Sequence, residues 1–145
     1  MNPDNVIDVA RLIQLAVAPV FLLTAVGTMI GVLSTRLGRA VDRSRTLEDR
    51  LRQMQPEGQK LAREELAVLS RRVRLVYGAI VLAVICALFV GLLIAVAFVD
   101  AFIEFDLSKF IGMMFIGAMV AFILSLLVFL REIFLAVTSA RDHMR

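Results

Sequence analysis

Charged side chains are missing from three long stretches of this 145-residue chain: Leu12–Leu33, Tyr77–Val99 and Phe110–Leu130. Ionisable residues inside a membrane usually mark proton relays and ion-coupled sites, so their absence argues against a proton-coupled carrier. No His or Asp lies beside Ser125 or Thr28 to activate a hydroxyl, which argues against an intramembrane protease. There is one histidine, His143, and one cysteine, Cys86, far apart in the chain, too few for a zinc site and with no disulfide to make. Tryptophan is absent, no glycine-rich phosphate loop is present, and acidic residues interleave the basic ones with no aromatic platform, which argues against nucleic-acid binding. The expectation is a non-enzyme with no cofactor and no metal. Met1–Ala10 carries Asp4 and Asp8 but no Lys or Arg, so it lacks the basic start of a secretory signal and the first segment is expected to be retained.

What is present is apolar surface. The composition is 60% hydrophobic with mean hydropathy +0.86, above the soluble range. About twenty apolar residues cross a bilayer, and each uncharged stretch is that long. The expected class is an all-α integral membrane protein with three transmembrane helices. Residues 1–11 form an outer amphipathic lead-in starting at Asn2-Pro3. Residues 12–35 form the first span, with a kink expected at Pro19. Residues 36–76 form a cytoplasmic helical hairpin that extends the first two spans into water. Its break is expected at Pro56-Glu57-Gly58, and each arm should project roughly 25–30 Å at ~1.5 Å per residue. Residues 77–99 form the second span and 100–109 an outer loop, with Asp106 or Ser108 capping the next helix. Residues 110–130 form the third span and 131–145 a cytoplasmic tail. Three spans do not divide into the matched halves of a transporter repeat.

Orientation follows from the basic residues. Eleven of the sixteen Lys and Arg lie in the hairpin and three more, Arg131, Arg141 and Arg145, in the tail, leaving only Arg11 and Lys109 on the other side. The positive-inside rule then places the N-terminus outside and the hairpin and C-terminus in the cytoplasm, as expected for a multi-pass membrane protein.

Two sets of residues are candidates for function. Thr24, Gly27, Thr28, Gly31 and Thr35 share one face of the first span. The plain reading is close helix packing, since Gly-x-x-x-Gly lets backbones approach and Thr bonds its own helix or a neighbour. The sharper reading is a pore-lining stripe. Arg36, Arg39 and Arg43 leave the first span, and Arg71, Arg72 and Arg74 enter the second. Such juxtamembrane clusters attract anionic headgroups at roughly 1 kcal/mol per residue, or form a charged vestibule. The plain alternative is a topology signal on a solvated helix face, paired to Asp42, Glu48, Glu64 and Glu65. Small residues also recur at Ala79, Ala83, Ala87, Gly91 and Ala95, and at Gly117, Ala121 and Ser125, as close-packing lines.

Pro19–Thr24 leading into Thr35-Arg-Leu-Gly-Arg-Ala-Val-Asp-Arg-Ser-Arg-Thr-Leu-Glu48, with Glu65–Arg72 and Phe129-Leu-Arg-Glu132, resembles the uncharacterised bacterial membrane family called domain of unknown function 2721. The resemblance covers most of the chain. It implies a small three-span protein of a bacterial inner membrane and carries no activity or site with it.

The small-residue lines offer more packing surface than one small bundle uses, so a homo-oligomer is expected. Two functions then compete, and the polar stripe together with the absence of other chemistry favours the first. One is an ion channel or passive pore lined by the Thr/Gly face, with the arginines as its vestibule. The other is a non-conducting scaffold or regulator whose basic hairpin binds a protein partner or anionic lipid.

Overall fold

The computed structural model describes residues 3–100 and 107–142, and its side chains between Ile13 and Val137 apart from Leu15. The Asn2 cap, the Asp106 cap, His143 and the basic end of the tail lie outside the described residues. The described chain is all helix, in three elements: α1 (Pro3–Leu51), α2 (Pro56–Asp100) and α3 (Ser108–Asp142). Each contains a segment long and apolar enough to cross a membrane, with mean hydropathy of 2.2, 3.2 and 2.7 in turn. Phe21, Leu88, Met113 and Ile116 are each more than 60% exposed on these segments. Apolar surface of that extent, spread over three helices, suits lipid rather than water.

The hydrophobic periodicity explains why helices form, and the breaks explain where they stop. α1 runs without interruption through Pro19 to Leu51. The break expected at Pro56-Glu57-Gly58 falls earlier, at Arg52–Gln55. Pro56 is instead the first residue of α2, where its missing N–H costs nothing and its fixed φ suits the helix. Glu57 follows in the first turn, where the helix dipole favours a negative charge. The Gln59 amide side chain donates to the Met54 carbonyl at 3.0 Å, tying turn to helix. At the other end, Leu107 immediately precedes α3, its carbonyl accepting from the Ile111 N–H at 3.0 Å. Its own N–H donates to the Asp100 carboxylate at 2.9 Å, so the stabilising acid comes from the end of α2.

Two compact units divide the chain, and all three helices contribute to each: residues 1–30 with 82–123, and residues 31–81 with 124–145. In the first, Val26, Ala83, Cys86, Val90, Ala118 and Ala121 form the core, with Leu22, Leu23, Ile30 and Phe122 packed on it. In the second, Leu33, Val76, Ala79, Ser125 and Glu132 are buried. Further along the hairpin, Leu47, Ala62 and Leu69 form a small core with Leu51 and Leu66.

The buried positions keep one spacing. On α1 they are Pro19, Val26, Leu33, Ala40 and Leu47, seven apart each time. On α2 they include Val76, Ala79, Ala83, Cys86, Val90 and Leu93, alternating three and four. This is a heptad repeat, the 3.5-residue period that keeps one seam of a long helix facing its neighbours. It corrects the every-fourth-residue line on α2. Ala79 and Ala83 are buried, but Ala87 is only half-buried and Gly91 and Ala95 are exposed. A step of four overshoots the 3.6-residue turn, so such a line rotates off the packed face.

Candidate functional site

The second unit contains a charged cluster drawn from all three helices. Glu132 lies seven residues after Ser125, so it falls on the packed seam of α3 and is 1% exposed. Its Oε2 accepts from Arg36 Nη1 at 3.1 Å. Its Oε1 accepts from Arg72 Nε at 3.2 Å and from Arg72 Nη2 at 3.0 Å. The Arg36 guanidinium also lies 5.1 Å from the Phe129 ring centroid, within cation–π range. A buried carboxylate is costly unless it is paired and hydrogen-bonded. Here each of its oxygens is engaged, and no buried polar side-chain atom among the described residues lacks a partner. Arg36, Arg72 and Glu132 are each within a few residues of an uncharged stretch, so the cluster sits at the edge of the apolar segments. One heptad earlier on α3, the buried Ser125 hydroxyl donates to the Ala79 carbonyl at 2.7 Å.

Beyond the cluster the hairpin arms run antiparallel, held by the core at Leu47, Ala62 and Leu69 and by Arg43, which forks onto Glu65 Oε1 at 2.7 and 3.2 Å. An open groove of about 1160 Å³ runs along them. Its apolar lining includes Leu47, Met54, Leu61, Ala62, Val68 and Leu69; its rim carries Arg36, Arg39 and Arg43 from α1, and Glu64, Glu65 and Arg72 from α2. Leu61 and Val68 lie seven apart on α2, 71% and 38% exposed, and Met54, in the turn that joins the arms, lines the same groove at 36%. They leave an apolar strip exposed beside the buried seam.

The candidate arginines thus separate. Arg36, Arg39, Arg43 and Arg72 line one groove, but Arg36 and Arg72 are committed to Glu132 and Arg43 to Glu65. Arg71 and Arg74 are exposed and lie outside that lining. Among the described residues Arg39, Arg71 and Arg74 form no ion pair. The Thr/Gly set stays together as one exposed face of α1. Thr24, Thr28 and Thr35 each donate to the carbonyl four residues back, at 3.0–3.2 Å. A Cβ built on Gly27 or Gly31 would meet nothing within 4 Å, so these glycines serve no close packing within the chain. Cys86 is free and buried, and the described residues include no group able to hold a metal. Glu132 is the residue that sequence reasoning missed. It reads as a marker of the helix exit, yet its seven-residue step from Ser125 was the available signal.

No curated protein and no solved structure matches the chain. Residues 16–141 match the model of a family described as a protein of unknown function, DUF2721. That match spans most of the chain, takes in both candidate sites, and establishes that the protein, with its three helices long and apolar enough to cross a membrane, belongs to this family.

Proposed function

We propose that the protein is a non-catalytic, homo-oligomeric membrane scaffold or regulator, whose hairpin groove receives a helical segment. The observation that carries this reading is the exposed Leu61 and Val68 of α2, with Met54 of the turn, beside the packed seam. Leu61 and Val68, one heptad apart on a helix rich in charge, suit a helix as occupant, as in helix-in-groove recognition. A lipid headgroup fits less well, because three of the four groove arginines already hold carboxylates. With the hairpin and tail carrying fourteen of the sixteen basic residues, we place them in the cytoplasm, the N-terminus outside, and the protein in a bacterial inner membrane.

The test uses single cysteines, Leu61→Cys and Val68→Cys, with buried Cys86 kept as an internal reference. In native vesicles a filled groove makes both react with a polar maleimide several-fold more slowly than in dilute detergent. Equal, fast labelling in both settings would overturn the reading.

A second reading, a passive pore lined by Thr24, Gly27, Thr28, Gly31 and Thr35, is favoured by the exposure of that whole face. Its support is weaker because each Thr hydroxyl already spends its proton on its own helix. Ion flux through protein reconstituted in liposomes, changed by Thr28→Leu, would establish it; absence of flux from folded oligomers leaves the scaffold.

A further inference from the structure

We infer that the occupant of the groove is the hairpin of a second copy of this chain, an inference that rests on the docking reading above. Three observations point to it. First, the groove leaves one charge of each sign without an ion pair among the described residues, Arg39 on the α1 wall and Glu64 on the α2 wall, while Arg36 and Arg72 hold Glu132 and Arg43 holds Glu65. A second hairpin related by a two-fold axis sets each Arg39 wall against a Glu64 wall, which is the self-complementarity an isologous interface requires. A single foreign helix would have to carry acid on one flank and base on the other. Second, residue numbers on the two arms run in opposite directions at matched heights: Arg43 meets Glu65, and Arg36 and Arg72 meet on Glu132. The α1 wall of one copy therefore faces the α2 wall of its neighbour at matched heights, with the pairs to Glu65 and Glu132 kept within each chain. Third, both arms continue directly from apolar segments. Copies inserted the same way hold Met54, Leu61 and Val68 at the same height, so two apolar strips meet without a shift in register, and confinement to one membrane plane raises their effective concentration.

In the pair, the two strips of Met54, Leu61 and Val68 face each other and four helices enclose what each hairpin leaves open. The charged cluster at Glu132 stays within each copy and sets the direction in which the arms leave the apolar segments.

The experiment uses purified full-length protein in liposomes of neutral lipid, so that no other protein and no anionic headgroup is available. Leu61→Cys and Val68→Cys are treated with a short bis-maleimide, and Ala67→Cys, on the far side of α2 beside Lys60 and Arg63, is the control. The expected result is cross-linked dimer at Leu61→Cys and Val68→Cys at about ten times the control level. Adding Val68→Glu to Leu61→Cys should abolish the dimer, while slow labelling of buried Cys86 reports that the helices remain packed. Exchanging the unpaired charges of the walls, Arg39→Glu with Glu64→Arg, should preserve the dimer that either reversal alone weakens. Cross-linking no greater than the control, with Leu61→Cys still protected in native vesicles, would overturn the second copy and leave docking of a foreign helix standing. Protection that appears only when anionic lipid is added would overturn it in favour of a lipid. Loss of protection everywhere would overturn both this inference and the docking reading.

Discussion

Replacing Glu132 by Gln removes one charge and little volume, and its cost can be worked from the geometry. The carboxylate accepts three charge-assisted hydrogen bonds, each in the range of about 1.5–3 kcal/mol. The Gln amide retains one acceptor but turns its NH₂ toward a guanidinium, donor against donor. Arg36 and Arg72 would lose their counter-charge, although their side chains are 41% and 27% exposed and recover some hydration. Breaking a fully buried pair costs about 3–5 kcal/mol, and that partial exposure brings the expectation to about 3 kcal/mol. At roughly 2–4 °C per kcal/mol, Tm should fall by about 6–12 °C. The chain supplies its own reporter: Cys86 is the single cysteine and is fully buried, so a thiol-reactive dye in a heated detergent solution reads unfolding. The companion variant replaces all three partners together, Arg36→Met, Arg72→Met and Glu132→Leu. Exchanging a whole buried ionic cluster for apolar residues is often neutral or stabilising, so this variant should recover most of the lost Tm. A Glu132→Gln protein with unchanged Tm would refute the reasoning. So would a triple variant as damaged as the single one, because the loss would then come from packing and not from stranded charge.

Other substitutions separate strong contacts from weak ones. Ser125→Ala deletes an interhelical hydrogen bond to Ala79 in a buried setting, and should cost about 0.6 kcal/mol, at most ~2, in the same thermal assay. Arg43→Ala removes a pair whose arginine side chain is 64% exposed, so stability should change by less than about 1 kcal/mol, and by less still at high salt. Gly27→Ala with Gly31→Ala places two methyl groups in open space and should raise helix stability by up to about 1 kcal/mol per site in the isolated chain. A fall in Tm with these alanines, seen in liposomes but not in dilute detergent, would identify that face as packed against another copy.

Much of the fold is legible in the sequence because its signals are long and redundant. Three uncharged stretches mark three membrane-class helices, and Pro56 marks the break between α1 and α2 to within a few residues. The placement of that break missed because proline reads as a breaker, whereas at the first helical position it is a starter. The small-residue line on α2 misled for a geometric reason: counting in fours finds alanines, but packing follows alternating threes and fours, which also takes in Cys86, Val90 and Leu93. The candidate sites were legible only as residue types. Arginines next to an apolar segment look alike in sequence, and whether each faces solvent or a carboxylate depends on a partner 60 or 96 residues away.

Glu132 matters beyond its own contacts because of the seam in which it sits. Seams of Ala, Cys and Val are low in relief and specify register weakly, since one small residue replaces another after a slip. A slip of α3 by one helical turn would carry the Glu132 carboxylate about 5.4 Å along the axis, out of reach of both guanidiniums. It would then be buried and unpaired, the state that costs most. A slip by a full heptad would set the Ser125 hydroxyl, with a single proton to donate, against two cations. The Arg36–Glu132–Arg72 cluster therefore selects one alignment among the several that the apolar stretches would accept. That alignment fixes where α1 and α2 emerge, which in turn fixes the height of Met54, Leu61 and Val68 on the hairpin. A groove that is to meet an occupant at a set distance from the membrane needs such a fixed point, and a polar residue at one heptad position is the recurrent way in which helical assemblies obtain it.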